Sequence, residues 1–320
     1  MPGLASISID LDGLPHYAGL YGLPPEAVGA SARELVHRVA VRRFTELVEA
    51  VGGRGTLFVI GGEVDAGARA PLEEALRHGH ELASHTHSHD YAVSRAAPAE
   101  IDRDLARAEE VLTGLGARRP FGFRAPGYTL SPALLQALAA REYAYDASIF
   151  PAAPYWMAKA LKLGWLRLLG RRSVAILDSP RVLLAPRLPY HPDPLRPERR
   201  GDASLLEIPM SVTPAARLPF IGTFVVLAPW PMVRGAYARL RGEPFFSFEL
   251  HAVDFLGPED GIPGALGRAQ PDLRLPLATK LGRLREVLEW LARDFQLLPL
   301  RDAARSLSGA SPVPAGVAGG

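Results

Sequence analysis

The chain has 320 residues, 48% hydrophobic and 22% charged, enough to bury a sizeable core as one large α/β domain or two smaller ones. Its 36 basic and 34 acidic residues leave a net charge of +2, which argues against a general nucleic-acid surface and confines any basic patch to a local one. With no cysteine, disulfides, thiolate metal sites and a cysteine nucleophile are excluded, and histidine and carboxylate remain as the strong metal ligands.

The first apolar run begins at Leu4 with no basic segment before it, and no stretch has the pattern of a secretory signal or an uninterrupted spanning helix. A cytoplasmic protein is therefore expected. Residues 4–12 read as a short buried strand, in which Ile7 and Ile9 alternate with Ser6 and Ser8 before Asp10-Leu11-Asp12-Gly13. A loop with His16, Tyr17 and Tyr21 leads to an amphipathic helix over about 31–51, where Ser31 and Glu34 form a capping-box signature. Residues 56–60 predict a second strand, 71–78 a short helix, and 81–84 a third strand that delivers His85, His87 and His89 at its carboxyl end.

The rhythm repeats with a helix over 98–115, a strand over 121–124, a helix over 132–140 and a strand over 143–147. After Phe150 it breaks into a Pro- and Arg-rich insertion over about 151–202. Strand character resumes over 205–210 and 245–250, followed by a helix over 279–295 and a last strand over 297–300. These elements predict a single domain over 1–305 and a flexible tail over 306–320. About eight strands alternating with helices suit an α/β fold of the (β/α) barrel type, regular or distorted, better than an open sheet, and in such barrels functional groups gather at the carboxyl ends of strands. Asp10, Asp12, His85, His89, Arg124, Asp146 and His251 all fall at such ends.

Three imidazoles within five positions are hard to explain by packing. Were that backbone helical, His85 and His89 would share a face at a spacing that grips one divalent cation, and His87 would point elsewhere. A polar surface turn is the plainer reading for any one of these histidines, and a third ligand is what would reverse it.

Taken in order, Asp10-Leu11-Asp12, His85-Thr86-His87-Ser88-His89, Arg124-Ala125-Pro126-Gly127-Tyr128, Tyr145-Asp146-Ala147-Ser148 and Leu250-His251 resemble the motifs of the polysaccharide deacetylase family (NodB-like, carbohydrate esterase family four). The resemblance spans about residues 4–300. It implies a NodB-like barrel in which Asp12, His85 and His89 bind a divalent metal, usually zinc, with open positions for water and substrate. It further implies that Asp10 is the general base, that Arg124 holds and tunes Asp10, and that His251 is the general acid, with Asp146 orienting or tuning it. Gly127 and Tyr128 would contribute oxyanion and substrate contacts. Alone, each residue has an ordinary reading: Asp10 and Asp12 as turn caps, Arg124 in an ion pair, His251 as a core histidine.

Two departures bear on substrate. The residue between Asp10 and Asp12 resembles family branches that include cytoplasmic deacetylases and cyclic-amide hydrolases, and Ala-Val-Asp-Phe follows His251. Residues 151–172 interleave Trp156, Met157, Leu161, Leu163, Trp165, Leu166, Leu168 and Leu169 with Lys159, Lys162, Arg167, Arg171 and Arg172. Such a helix is a cover for the barrel wall, a dimer contact, or a lid or membrane-surface patch for a lipid-linked sugar, the last implying a peripheral site at the inner membrane face. The apolar run 218–232 is expected to contribute to the same surface. The leading expectation is removal of an N-acetyl or N-formyl group from an amino sugar by a metal-activated water. The alternatives are a cyclic amide or imide hydrolase on the same fold and a non-catalytic glycan- or membrane-binding protein.

Overall fold

The parallel sheet predicted from the strand and helix rhythm is present in a computed structural model that describes residues 2–309 apart from 25, 27, 30, 31, 33, 120 and 172. In chain order, β1 (Gly3–Asp10) and α1 (Leu14–Leu20) lead to a π-helical stretch (Val36–Ala40) continuous with α2 (Val41–Glu49). Next come β2 (Thr56–Val59), α3 (Ala66–Arg77), β3 (Glu81–Ser84), α4 (Pro98–Gly114), β4 (Gly122–Phe123), α5 (Pro132–Ala140) and β5 (Tyr145–Asp146). The segment after β5 contains α6 (Ala153–Leu168) and a two-stranded antiparallel ribbon, β6 (Pro192–Asp193) and β7 (Arg196–Arg200). The remainder is β8 (Leu206–Glu207), α7 (Gly222–Leu227), α8 (Trp230–Leu240), β9 (Phe245–His251), α9 (Gly264–Ala269), α10 (Leu277–Asp294), β10 (Phe295–Leu297) and α11 (Leu300–Leu307).

All pairings in the main sheet are parallel. β1 pairs with β9 along its length, with β2 at its carboxyl half and with β10 at its amino half, and the sheet continues through β3, β4 and β5 to β8. The sheet curls so that the chain after β8 meets β9: Ser211 N donates to Ser247 O (3.1 Å) and Ser247 N donates to Ser211 Oγ (2.9 Å). This is the distorted (β/α) barrel. Strands buried on both faces read as near-continuous apolar runs, as Leu57-Phe58-Val59 and Phe245-Phe246 do, and each large side chain so buried contributes about 1.5–3 kcal/mol.

Several boundaries differ from the sequence expectation. Ser31, on which the capping box rested, Arg172 and the tail from 310 lie outside the described residues. The expected strand over 297–300 is displaced: β10 pairs Phe295 with Gly3, and Pro299 then starts α11, which buries Leu300, Ala303 and Ala304 and runs through residues 306 and 307. The helix expected from Pro71 starts a turn and a half earlier, capped by Asp65, whose Oδ1 accepts from Ala68 N (2.9 Å). Most of the apolar run 218–232 enters the core: Phe220, Val225 and Val226 are buried, with Phe220 against Phe246 and Phe248. Among the described residues no helix is long and apolar enough to cross a membrane.

Candidate active site

Register brings the predicted residues to one rim of the sheet. Asp10 lies beside His251 on the β1–β9 ladder and beside Phe58 on β2, while Ser84 faces Phe123, so that the next residues, His85 and Arg124, leave neighbouring strands together. Asp12 follows two residues beyond β1. Gly13 lets the Glu63 carboxylate approach the chain there, since a Cβ would stand 2.4 Å from Glu63 Oε1 and displace that side chain.

The histidine segment is a loop, not a helical turn. Thr86 (φ +66°) and His89 (φ +52°) take the left-handed conformation, and Asp104 on α4 holds the strained turn by accepting from the backbone N–H of His87 (2.8 Å) and Ser88 (3.0 Å). The loop reversal, rather than helical periodicity, brings His85 and His89 together. His87 stays outside the cluster, with its carbonyl taken by Gly62 N (2.8 Å).

Asp12 Oδ1 lies 3.2 Å from both His85 Nε2 and His89 Nε2. The ligand atoms of these three buried residues lie within 4.8 Å of one another, a group able to hold a metal ion. His85 Nδ1 donates to Arg124 O (2.7 Å), which orients the ring with Nε2 toward Asp12. Asp12 Oδ1 and His89 Nε2 are buried without a hydrogen-bond partner, the condition a cation would relieve. Burial pushes the Asp12 carboxyl up, but the His89 and His85 imidazoles outweigh it and hold Asp12 well below the usual carboxylate range. Burial pushes His89 down to about 4, which keeps that imidazole neutral and able to ligate.

Asp10, Glu249 and His251 form a second group of converging ligand atoms beside the first. This group is less suited to a cation, because Arg124, fully buried, donates from Nη1 to Asp10 Oδ1 (2.5 Å) and places a positive charge there. The guanidinium also donates from Nη2 to Ser8 Oγ (3.0 Å) and from Nε to Ala147 O (3.0 Å), and its Cζ lies 4.1 Å from the Phe58 ring centroid. Burial raises the Asp10 carboxyl above its ordinary value, with Arg124 the largest opposing influence.

His251 is where the structure corrects the sequence reading. Asp146, expected to orient or tune it, instead accepts from Ser148 Oγ (2.5 Å), and Ser148 Oγ accepts from Ala125 N (2.8 Å). Asp146 thus steadies the loop carrying Gly127 and Tyr128. Burial lifts its pKa to about 6, and burial together with Asp146 lifts the adjacent Glu207 well above its ordinary value. The partner of His251 is Glu249, whose Oε1 lies 2.9 Å from His251 Nδ1 and accepts from Tyr128 Oη (2.9 Å). Tyr128 Oη also lies 3.0 Å from His251 Nε2. Burial alone would depress the imidazole, but Glu249 and then Asp10 outweigh it and hold His251 well above its usual pKa. A buried glutamate in the largely apolar strand Phe245–His251, two residues before the histidine and so on its face, is the signal that sequence reasoning passed over.

These groups open into a cavity of about 440 Å³ lined by Asp10, Asp12, His85, Gly127, Tyr128 and His251 together with Tyr17, Tyr91, Tyr155, Ile221, Leu227 and Asp272. Gly127 has φ +64°, and its carbonyl accepts from Lys159 Nζ on α6 (3.0 Å), whose pKa burial lowers to about 8. A separate cavity of about 250 Å³ beside His37, Glu63 and Asp65 contains none of the convergent groups. The His16 ring lies 4.1 Å from the His89 ring at a tilt of 54°, and its Nε2 lies 2.8 Å from Glu63 Oε1.

Residues 37–145 match the family model described as polysaccharide deacetylase. Over those residues the chain carries a polysaccharide deacetylase domain. A domain of this kind supports a hydrolase, and the fold of the chain is shared with solved structures. A candidate polysaccharide deacetylase from Mycobacterium smegmatis superposes with TM-score 0.59 at 16% identity, over 99% of this chain and 95% of that one. PuuE allantoinase superposes with TM-score 0.58 at 15% identity, over 97% and 91% of the two chains. A 4-alpha-glucanotransferase from Thermococcus litoralis superposes with TM-score 0.53 at 11% identity, over 97% of this chain and 39% of that one. At these identities the likeness is one of fold. Among curated proteins none matches the sequence.

Proposed function

We propose that this chain is a metal-dependent hydrolase that removes an N-acetyl or N-formyl group from an amino sugar. The observation that carries the reading is the convergence of Asp12, His85 and His89, with buried unpartnered ligand atoms, beside the Asp10–Arg124 pair and His251. A divalent cation held by those three residues, zinc by its preference for nitrogen and oxygen donors with an open position, would acidify a water and polarise an amide carbonyl.

The chain's own groups divide the proton work. Asp10, oriented by Arg124, accepts the proton of the attacking water; His251, kept protonated by Glu249, gives a proton to the departing amine. Tyr128 steadies Glu249 and His251 from the cavity side, and the Gly127 region supplies backbone dipoles where the oxyanion forms. Hydrolysis of a cyclic amide uses the same groups, and the fold likeness to PuuE allantoinase keeps that reading as the alternative. The cavity favours the larger amino-sugar substrate, because about 440 Å³ with an apolar wall exceeds what a small polar ring requires.

Metal analysis of the purified protein together with acetate and formate release from N-acylated amino sugars tests the reading. Asp10→Asn is expected to keep the metal and lose turnover, and His85→Ala to lose both. Full activity in either variant, or ring opening without acyl release, overturns it.

A further inference from the structure

Helix α6 presents two faces. Inward, Tyr155 packs at a tilt against Phe150 (4.8 Å between centroids), Lys159 bonds Gly127 O, and Lys162 Nζ lies 3.7 Å from the Tyr21 ring centroid. Outward, Met157, Leu161, Trp165 and Leu168 follow at helical spacing and are 53%, 75%, 62% and 83% exposed. Monomer surfaces scatter single apolar residues, whereas here four stand in one stripe, continued by Leu169.

Charge distinguishes this face from an ordinary contact between proteins. Residues 147–177 contain no acidic residue and five basic ones, of which Lys159 and Lys162 belong to the inward face. Arg167 and Arg171 are exposed at the end of the apolar stripe. A Trp- and Leu-rich stripe bordered by arginines is the composition of a helix that lies in the interface of an anionic bilayer. A stable protein interface uses roughly 20–30 residues a side, far more than this stripe offers.

A second cavity of about 240 Å³, mostly apolar, runs beneath the same helix and shares Leu20, Tyr155, Ala158, Lys159, Lys162 and Ala175 with the cavity of the candidate active site. Polar chemistry therefore grades into an apolar arm on the α6 side. We infer that the outer face of α6 docks on an anionic lipid surface and that the apolar arm receives the hydrophobic part of an amphiphilic substrate presented there. The role of the arm rests on the hydrolase reading; the docking does not.

The test is flotation of the full chain with phosphatidylcholine vesicles with and without phosphatidylglycerol. The wild type is expected to float with the anionic vesicles, less with neutral ones, and less as salt rises. The exposed-face double variant Leu161→Asp/Leu168→Asp is expected to lose at least tenfold of that binding while keeping its circular dichroism spectrum. Trp165 emission should shift to the blue with anionic vesicles, and the Trp165→Phe variant should lack that component. A wild type that stays at the bottom of the gradient, a double variant that floats equally, or a wild-type dimer that the double variant makes monomeric would overturn the inference, the last by assigning the face to a second copy. Flotation needs no turnover, so its failure is separable from failure of the hydrolase reading.

Discussion

Replacing Glu249 with glutamine keeps the size of a fully buried side chain and removes the negative charge 2.9 Å from His251 Nδ1. An opposite charge this close moves a pKa by about 1–3 units, or about 1.4–4 kcal/mol at 1.36 kcal/mol per unit. His251 stands well above the ordinary imidazole range because Glu249 and, less strongly, Asp10 overcome the effect of burial. With His251 as the acid, kcat/KM should fall on the alkaline side as the imidazolium loses its proton, and in Glu249→Gln that limb should move to lower pH by about 1–3 units. The same shift sets stability: a histidine whose folded pKa is raised contributes fully below its unfolded value near 6.5 and loses that contribution as pH rises through the folded value. The stability difference between wild type and Glu249→Gln should therefore be larger at pH 6 than above the folded pKa. The assay is a pH profile of acyl release by both proteins at matched metal content, with urea denaturation at the two ends. A variant whose activity drops uniformly with an unmoved alkaline limb would refute the argument that Glu249 acts through His251.

The contrasting variant, Asp146→Asn, should leave the alkaline limb where it is, because Asp146 bonds Ser148 and not His251; a shift matching that of Glu249→Gln would restore the sequence-based assignment. Arg124→Met leaves the buried Asp10 carboxylate unpaired and should lower unfolding free energy by about 3–5 kcal/mol in urea titrations. Adding Asp10→Asn should recover part of that loss, and a double variant no more stable than Arg124→Met would contradict the pairing argument. Gly122→Ala would put a Cβ 1.9 Å from Tyr145 Cζ, and a cost of at least about 1–3 kcal/mol is expected from overpacking, read as a lowered Tm.

Alternation and turn chemistry are local, so the strand Glu81–Ser84, the helix Pro98–Gly114 and the helix Pro132–Ala140 were legible in the sequence almost to the residue. The motif residues were legible for a related reason: a parallel sheet brings the carboxyl ends of its strands to one rim, so acids and histidines at those ends must meet once the strands are recognised. Three things depended on the tertiary structure. His85 and His89 are joined by a left-handed loop tied to Asp104, a contact 15 and more residues distant that no local spacing encodes. The partner of His251 was set by which side chains share its pocket, and there Glu249 stands where Asp146 was expected. Exposure also had to be seen, since the apolar runs at 157–169 and 218–232 look alike in composition, yet the first faces outward on α6 and most of the second fills the barrel core. Burial is decided by what packs against a segment from elsewhere in the chain, which hydrophobicity in the sequence cannot specify.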